Sequence, residues 1–296
     1  MNLCLGTAQF GLNYGIQSNG QPQEEAVFNM LSYAIDNGVT LLDTASAYGS
    51  AETVLGKYFS FCPSNIDKVG VVSKLKPDSF TENNKGEWSE IAIKSAKSSL
   101  DTIGIKKFEA YLFHNATYIF NDKAVEALAK VKEVGLADRI GVSIYSPEEA
   151  MKALEYPSIG AIQIPYNVFD RRLDKAGFFE IAKEKDVLVF ARSSLLQGLI
   201  MMDANELPEK VKYARGYIER FHSICKQYKV EPLQVAIGYV GCRSGIDYVV
   251  FGSDNIKQLE EYIELKDFSL PRELIQDISR AFENVEDKVV NPTLWR

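Results

Sequence analysis

Eight short runs of β-branched and aliphatic residues recur along this chain, each followed by apolar residues at helical spacing, and this alternation restricts the fold more than any other feature. The pattern predicts strands over 3–8, 39–43, 68–75, 108–114, 139–144, 161–164, 187–191 and 248–251. Helices are predicted over 24–37, 50–59, 87–103, 122–134, 176–184, 208–228, 232–242, 255–264 and 273–282, with another opening at Ser146-Pro147. Val27, Met30, Leu31, Ala34 and Ile35 carry the period of the first helix, and Gly38 is placed to end it. Ser50 reads as the N-cap of the second, with Thr53 near the capping-box position. No linker or shift in composition interrupts the series, so the expected fold is α/β, a single-domain (β/α)8 TIM barrel spanning 1–296. A doubly wound open sheet is the main rival. It is expected to show a Gly-x-Gly-x-x-Gly turn after the first strand, and neither that turn nor a Walker A loop is present.

In a parallel α/β barrel, chemistry gathers where strands end. Asp43 closes the second predicted strand and Tyr48 sits on the loop behind it; Lys74 ends the third strand and His114 the fourth. Singly, each has an ordinary reading: turn former, surface aromatic, solvated rim lysine, hydrogen-bonded packing histidine. Together on one rim they form a constellation suited to proton transfer. His222, in the long connecting helix with no acid or base in view, keeps the ordinary reading.

Composition narrows the partners. With 33 basic against 40 acidic residues the formal charge is −7, which argues against nucleic acid or an anionic membrane as the main partner. No apolar run approaches spanning length, and the opening residues carry no basic leader. Cys4, Cys62, Cys225 and Cys242 are scattered without metal-binding spacing, so no metal site is expected and the thiols point to a reducing cytoplasm.

In order and at barrel spacing, the chain shows Leu5-Gly6-Thr7-Ala8, Leu42-Asp43-Thr44-Ala45-Ser46-Ala47-Tyr48-Gly49 with Glu52, Val72-Ser73-Lys74, Leu112-Phe113-His114, Gly141-Val142-Ser143, Ile162-Gln163-Ile164-Pro165-Tyr166-Asn167, and Phe251-Gly252-Ser253-Asp254-Asn255 followed by Gln258-Leu259-Glu260-Glu261. In these pieces the chain resembles the aldo-keto reductase family over essentially its whole length. The resemblance implies that Tyr48 is the general acid, that Lys74 and Asp43 tune it, and that His114 orients the substrate carbonyl. The physics is consistent: hydride addition to a carbonyl leaves an alkoxide that needs a proton, and a phenol of pKa about 10 gives one up reluctantly. A neighbouring ammonium is expected to lower that pKa.

The resemblance also implies a nicotinamide dinucleotide lying across the rim, NADPH by family habit, with NADH left open because Asp254 would repel a 2′-phosphate and only Lys257 offers a cation nearby. Thr7 belongs to the implied cofactor set. Ser143 and Gln163 match the carboxamide positions; Ser193, Leu195, Gln197 and Gly198 lie in the loop that follows the pyrophosphate. Gly252, Ser253, Asp254, Asn255, Gln258 and Glu261 match the adenosine end, although Ser253 and Asn255 also read as plain helix caps. Two departures stand out: Ile144 replaces a common Asn, and Arg192 stands where many members stack a tyrosine on the nicotinamide. A guanidinium can stack on a flat ring but disfavours the cationic, oxidised cofactor, and could instead reach an anionic substrate. Phe10, Tyr14, Tyr118, Tyr166 and Trp295 are candidate pocket walls. The expected reaction is reduction of a small polar aldehyde or ketone, with sugar-like carbonyl compounds among the candidate substrates. The alternatives are a cofactor-sensing regulatory subunit, or an isomerase-like use of bound cofactor. The oligomeric state is undetermined from sequence.

Overall fold

Successive side chains of a strand point to opposite faces, and this chain uses the two faces differently. The computed structural model describes residues 1–16 and 20–295. Among them eight strands pair in parallel in chain order: β1 (Asn2–Gly6), β2 (Leu41–Asp43), β3 (Gly70–Leu75), β4 (Phe108–Phe113), β5 (Ala137–Ser143), β6 (Ile159–Pro165), β7 (Leu188–Arg192) and β8 (Tyr248–Gly252). Pairing of β1 with β8 closes the barrel. One parity fills the interior with Cys4, Leu41, Val72, Ala110, Leu112, Ala161, Phe190 and Val250. The other sends Leu5, Leu42, Val71, Tyr111, Phe113, Ile162, Val189 and Phe251 outward into the core beneath the helices. Both faces are therefore apolar, which explains the continuous hydrophobic runs in the sequence.

The helices are α1 (Ala8–Gly11), α2 (Glu24–Asp36), α3 (Ala51–Phe61), α4 (Trp88–Ile103), α5 (Asp122–Glu133), α6 (Pro147–Leu154), α7 (Phe178–Glu184), α8 (Arg215–Tyr228), α9 (Pro232–Gly241), α10 (Ile256–Glu264), α11 (Arg272–Ala281) and α12 (Asp287–Val290). Fully buried residues such as Leu31, Leu55 and Leu128 anchor them, each side chain contributing about 1.5–3 kcal/mol on leaving water. Several local signals behave as predicted. Ser146 and Glu149 form a capping box ahead of α6, and Gly38 and Gly135 take the left-handed conformation just past α2 and α5.

Others differ. Ser50 stands at the N-cap of α3, but its side chain caps nothing; its backbone N–H reaches Gly11 O at 3.4 Å instead. The loop expected over 9–20 begins with α1, and residues 17–19 lie outside the described residues. The helix predicted over 208–228 is a 3₁₀ segment, Glu209–Ala214, running into α8. The tail contains α12, and Arg296 lies outside the described residues. Among the described residues no helix is long and apolar enough to cross a membrane.

Candidate active site

The interior parity that packs Leu41, Val72 and Leu112 inside the barrel continues one step up each strand to Asp43, Lys74 and His114. The same step brings up Ser143, Gln163 and Arg192 at the ends of β5, β6 and β7. Polar groups thus replace apolar ones at a single layer, the carboxyl-end layer.

Lys74 is fully buried, and its Nζ donates to Asp43 Oδ1 at 2.7 Å and to Thr44 O at 2.8 Å. Burial alone would lower the proton affinity of the ammonium, but the charges of Asp43 and Tyr48 and their hydrogen bonds raise it overall. The cation is held charged. Asp43 Oδ1 also accepts from Gln163 Nε2 at 2.8 Å, Ser143 Oγ donates to Gln163 Oε1 at 3.1 Å, and Arg192 Nε donates to Ser143 Oγ at 3.3 Å. One hydrogen-bonded chain therefore runs from Lys74 to Arg192 across five strand ends. On the outward parity of β3, Ser73 Oγ donates to Glu52 Oε1 at 2.7 Å, and Ser99 of α4 donates to Glu52 Oε2 at 2.9 Å. Glu52 clamps β3 to α3 and α4 from behind.

Tyr48 is positioned by backbone packing. The short α1 comes so close that a Cβ on Gly11 would stand 1.8 Å from Tyr48 O. A Cβ on Gly49, which sits at φ +54, would stand 2.2 Å from Gly11 O. Only glycines fit at this crossing. Lys74 Nζ lies 4.9 Å from the centroid of the Tyr48 ring, and His114 meets that ring edge-on at 5.6 Å and 89°. Burial raises the Tyr48 pKa more than Lys74 lowers it. The sequence-based expectation that the ammonium would bring the phenol below its ordinary value is thus corrected, because desolvation dominates. His114 is pushed down to about 3, first by burial and then by Lys74 and Arg192, so its ring is neutral across the physiological range.

A cavity of about 410 Å³ opens beside Tyr48 and runs over β7 and β8 to the start of α10. At its inner end are Asp43, Tyr48, Tyr14 and Arg192; its far end is walled by Asp254, Gln258, Glu261 and Tyr262. The floor between them is made by Ser193, Ser194, Leu195, Gln197 and Gly198. In this loop Ser193, Leu196 and Gln197 adopt positive φ. Ile16 N donates to Gln197 O at 3.1 Å, tying the loop after β1 to the loop after β7.

The model of the aldo/keto reductase family matches residues 2–283. The chain belongs to that family. Members are oxidoreductases that work with nicotinamide cofactors and carbonyl compounds, and this aldo-keto reductase shares that broad class. Its relatives are distant. The uncharacterized oxidoreductase YrpG of Bacillus subtilis is 23% identical, the alignment covering 99% of this chain and 95% of YrpG. The fission yeast (Schizosaccharomyces pombe) aldo-keto reductase yakc [NADP(+)] is 23% identical over 90% of this chain and 85% of its own. A solved aldo-keto reductase structure from Pseudomonas aeruginosa shares the fold at a TM-score of 0.66 and 21% identity, covering 89% of this chain and 88% of that one.

Within the reductase, the cavity gathers much of the set expected from sequence: Asp43, Tyr48, Arg192, Ser193, Leu195, Gln197, Gly198, Gly252, Asp254, Gln258 and Glu261 all line it. Lys74 and His114 stand behind this lining and against Tyr48. Other expected residues are engaged elsewhere. Ser143 and Gln163 bond to each other and to Asp43 and Arg192, so both carboxamide candidates are committed to the protein's own network. Asn255 Oδ1 accepts from Gln258 N at 3.0 Å and caps α10, whereas Ser253 caps nothing and its Oγ donates to Asn255 O at 2.7 Å; both lie outside the lining. Thr7 is buried under the same rim, its backbone N–H on Asp43 O and its hydroxyl without a partner.

Of the five aromatic wall candidates, Tyr14 alone lines the cavity. Phe10 and Tyr166 are core, Tyr118 donates to Pro77 O, and Trp295 donates to Lys288 O. His222 has its Nε2 3.0 Å from Ile200 O, in keeping with a packing role. Met201, Met202, Leu233 and Ile237, from the long β7–β8 connection, also line the cavity. They were not anticipated, because apolar residues there look like any helix-packing face.

Proposed function

We propose that this aldo-keto reductase reduces an aldehyde or ketone to the alcohol, with Tyr48 as general acid, using a nicotinamide dinucleotide held in the cavity. The observation that carries the reading is the Lys74–Asp43 ion pair under the Tyr48 ring, its ammonium fully buried, with His114 edge-on to that ring beside a cavity that runs from Tyr48 to α10. The cavity suits an extended, multiply hydrogen-bonding ligand. Gly198 and Gly252 leave its wall without side chains, and Ser194, whose buried hydroxyl has no protein partner among the described residues, is part of the lining. When bound, a reduced nicotinamide supplies hydride.

The chain's own residues manage the proton. Burial keeps the Tyr48 phenol protonated at neutral pH, so the donor is loaded before reaction. As negative charge grows on the carbonyl oxygen, the phenol delivers its proton, and the Lys74 ammonium stabilises the phenolate left behind. Asp43 keeps that ammonium charged and aimed. Neutral His114 donates from one ring nitrogen to the same oxygen, fixing the carbonyl beside the phenol.

For the dinucleotide, the reading favours an unphosphorylated ribose, hence NADH over the family's usual NADPH. Asp254 and Glu261 line the far end, while Arg192, at the inner end, is the one cation lining the cavity among the described residues. Lys257 is absent from that lining.

The test is loss of reduced-nicotinamide absorbance with a reactive aromatic aldehyde, in wild type and Tyr48→Phe, with NADH and NADPH supplied separately. Removing a positioned general acid is expected to slow turnover by about 10²–10⁴-fold while dinucleotide binding persists. Equal rates in the two proteins would overturn the role of Tyr48.

A further inference from the structure

Among the described residues, five arginines are half-buried: Arg139, Arg171, Arg172, Arg192 and Arg243. Three of them meet carboxylates, Arg139 on Glu109, Arg172 on Asp170 and Arg243 on Asp174. Arg171 gives its Nη2 to the carbonyls of Ser279 and Phe282 at the end of α11. Like Arg171, and unlike the other three, Arg192 has no carboxylate within ion-pair distance among the described residues. It differs from all four in lining the cavity beside Tyr48. Its partners are neutral: Nη2 donates to Ile144 O at 2.8 Å, Nη1 to Ser193 Oγ at 3.2 Å, and Nε to Ser143 Oγ at 3.3 Å. The guanidinium also lies over the Tyr145 ring, 4.5 Å from its centroid.

These contacts aim the group and leave its charge uncompensated. A guanidinium has five N–H donors; three are used here, and one on each terminal nitrogen has no acceptor among the described residues. Charges withdrawn from water are ordinarily paired, and an unpaired cation held rigid by neutral groups is prepared for an anion from outside. Its field reaches the reacting centre, since it lowers the proton affinity of His114 and opposes the rise at Tyr48.

We propose that Arg192 selects carbonyl substrates that carry an oxyanion, a carboxylate or a phosphate, on the same molecule, by pairing with that group while the carbonyl lies against Tyr48 and His114. This rests on the reductase reading given above and specifies its substrate class. The side of the cavity matters. The acidic residues Asp254 and Glu261 stand at the far end and discourage anions there, whereas Arg192 invites one at the inner end.

The experiment compares 4-carboxybenzaldehyde with its neutral methyl ester, in wild type, Arg192→Gln and Arg192→Lys, each checked for folding by circular dichroism. The readout is the ratio of kcat/KM for acid over ester within each protein, which cancels any general loss of activity. A charge-assisted pair predicts a wild-type ratio of roughly 10 to 100, carried by KM. The ratio collapses toward one in Arg192→Gln and is partly kept in Arg192→Lys. A ratio unchanged in Arg192→Gln overturns the proposal. So does a uniform loss on both aldehydes together with weakened dinucleotide affinity, which assigns the guanidinium to the cofactor. If neither aldehyde is reduced by wild type, the reductase reading fails, and calorimetry with benzoate and with inorganic phosphate decides the anion site alone. Binding of either probe that is lost in Arg192→Gln supports it, the tighter probe naming carboxylate or phosphate, and equal binding to both proteins overturns it.

Discussion

The two ends of the cavity are built from different material. At the inner end Asp43, Lys74, His114, Gln163 and Arg192 stand on or next to barrel strands, and Asp43, Lys74, Gln163 and Arg192 are joined through Ser143 in one hydrogen-bonded chain. At the far end Asp254 and Glu261 belong to a loop and the first turns of α10. Asp254 Oδ1 is buried with no hydrogen-bond partner. A strand end bonded to its neighbours fixes a side chain to the tolerance that proton transfer demands. A loop carboxylate with an empty acceptor shapes binding and leaves the fold's stability largely to other groups.

The largest expected effect is on the buried pair. Asp43→Ala leaves the Lys74 ammonium buried without its counterion, which costs about 3–5 kcal/mol, whereas Asp254→Ala removes a group that has no ion-pair partner and changes stability by about 0.5 kcal/mol or less. Urea unfolding of the two variants measures the difference directly. Equal destabilisation would erase the contrast between the two ends.

Next comes the backbone crossing beneath Tyr48. Gly11→Ala places a methyl group 1.8 Å from Tyr48 O, and the forced displacement should cost about 1–3 kcal/mol and lower kcat by moving the phenol. Gly86→Ala, where an added Cβ meets nothing within 4 Å, is the control, expected within about 0.5 kcal/mol of wild type. If Gly11→Ala keeps full kcat, that packing does not position the phenol.

Acid should separate the two ends by sign. His114 has its pKa lowered from 6.5 to about 3 in the folded protein, so below pH 6.5 the unfolded chain binds a proton that the folded one refuses. Its contribution to stability is therefore fully present above pH 6.5 and is lost as pH falls toward 3. Asp254 runs the other way. Burial raises its pKa, so the folded state holds that proton more tightly, and the group favours folding on the acid side of its titration. His114→Asn should flatten the acid limb of stability against pH, and Asp254→Asn should steepen it. Limbs parallel to wild type in both variants would show that neither group carries the effect.

The barrel was legible because continuous apolar runs of strand length alternate with apolar residues at helical spacing, and because Asp43 and Lys74 fall where such runs end. Gln163 and Ser143 show where legibility stops. Their positions were predicted, but their partners were not, since an amide and a hydroxyl facing each other across two strand ends can bond to one another as readily as to a ligand. The net rise of the Tyr48 pKa was likewise invisible: a sequence shows that a lysine is near but not how much water is excluded. Nor could it reveal that α1 and the Tyr48 loop touch backbone to backbone, because Gly11 and Gly49 look like ordinary loop glycines until the two segments are brought together.

The smallest expected effect concerns the far end and the choice of dinucleotide. If Asp254 and Glu261 face the adenosine ribose, each opposes a 2′-phosphate through an exposed or half-exposed charge, and such interactions are worth about 0–1 kcal/mol. Asp254→Asn or Glu261→Gln should therefore shift the ratio of NADPH to NADH dissociation constants by only about two- to fivefold toward NADPH. The shift should shrink as salt is raised, because screening acts first on exposed charges. Titration of intrinsic fluorescence with each dinucleotide reads both constants without turnover. The double substitution sharpens the outcome: independent repulsions multiply, so a product of the two single shifts places both carboxylates at the ribose. A double variant no different from Asp254→Asn would leave Glu261 facing solvent, and the far end would then discriminate through the single carboxylate of Asp254.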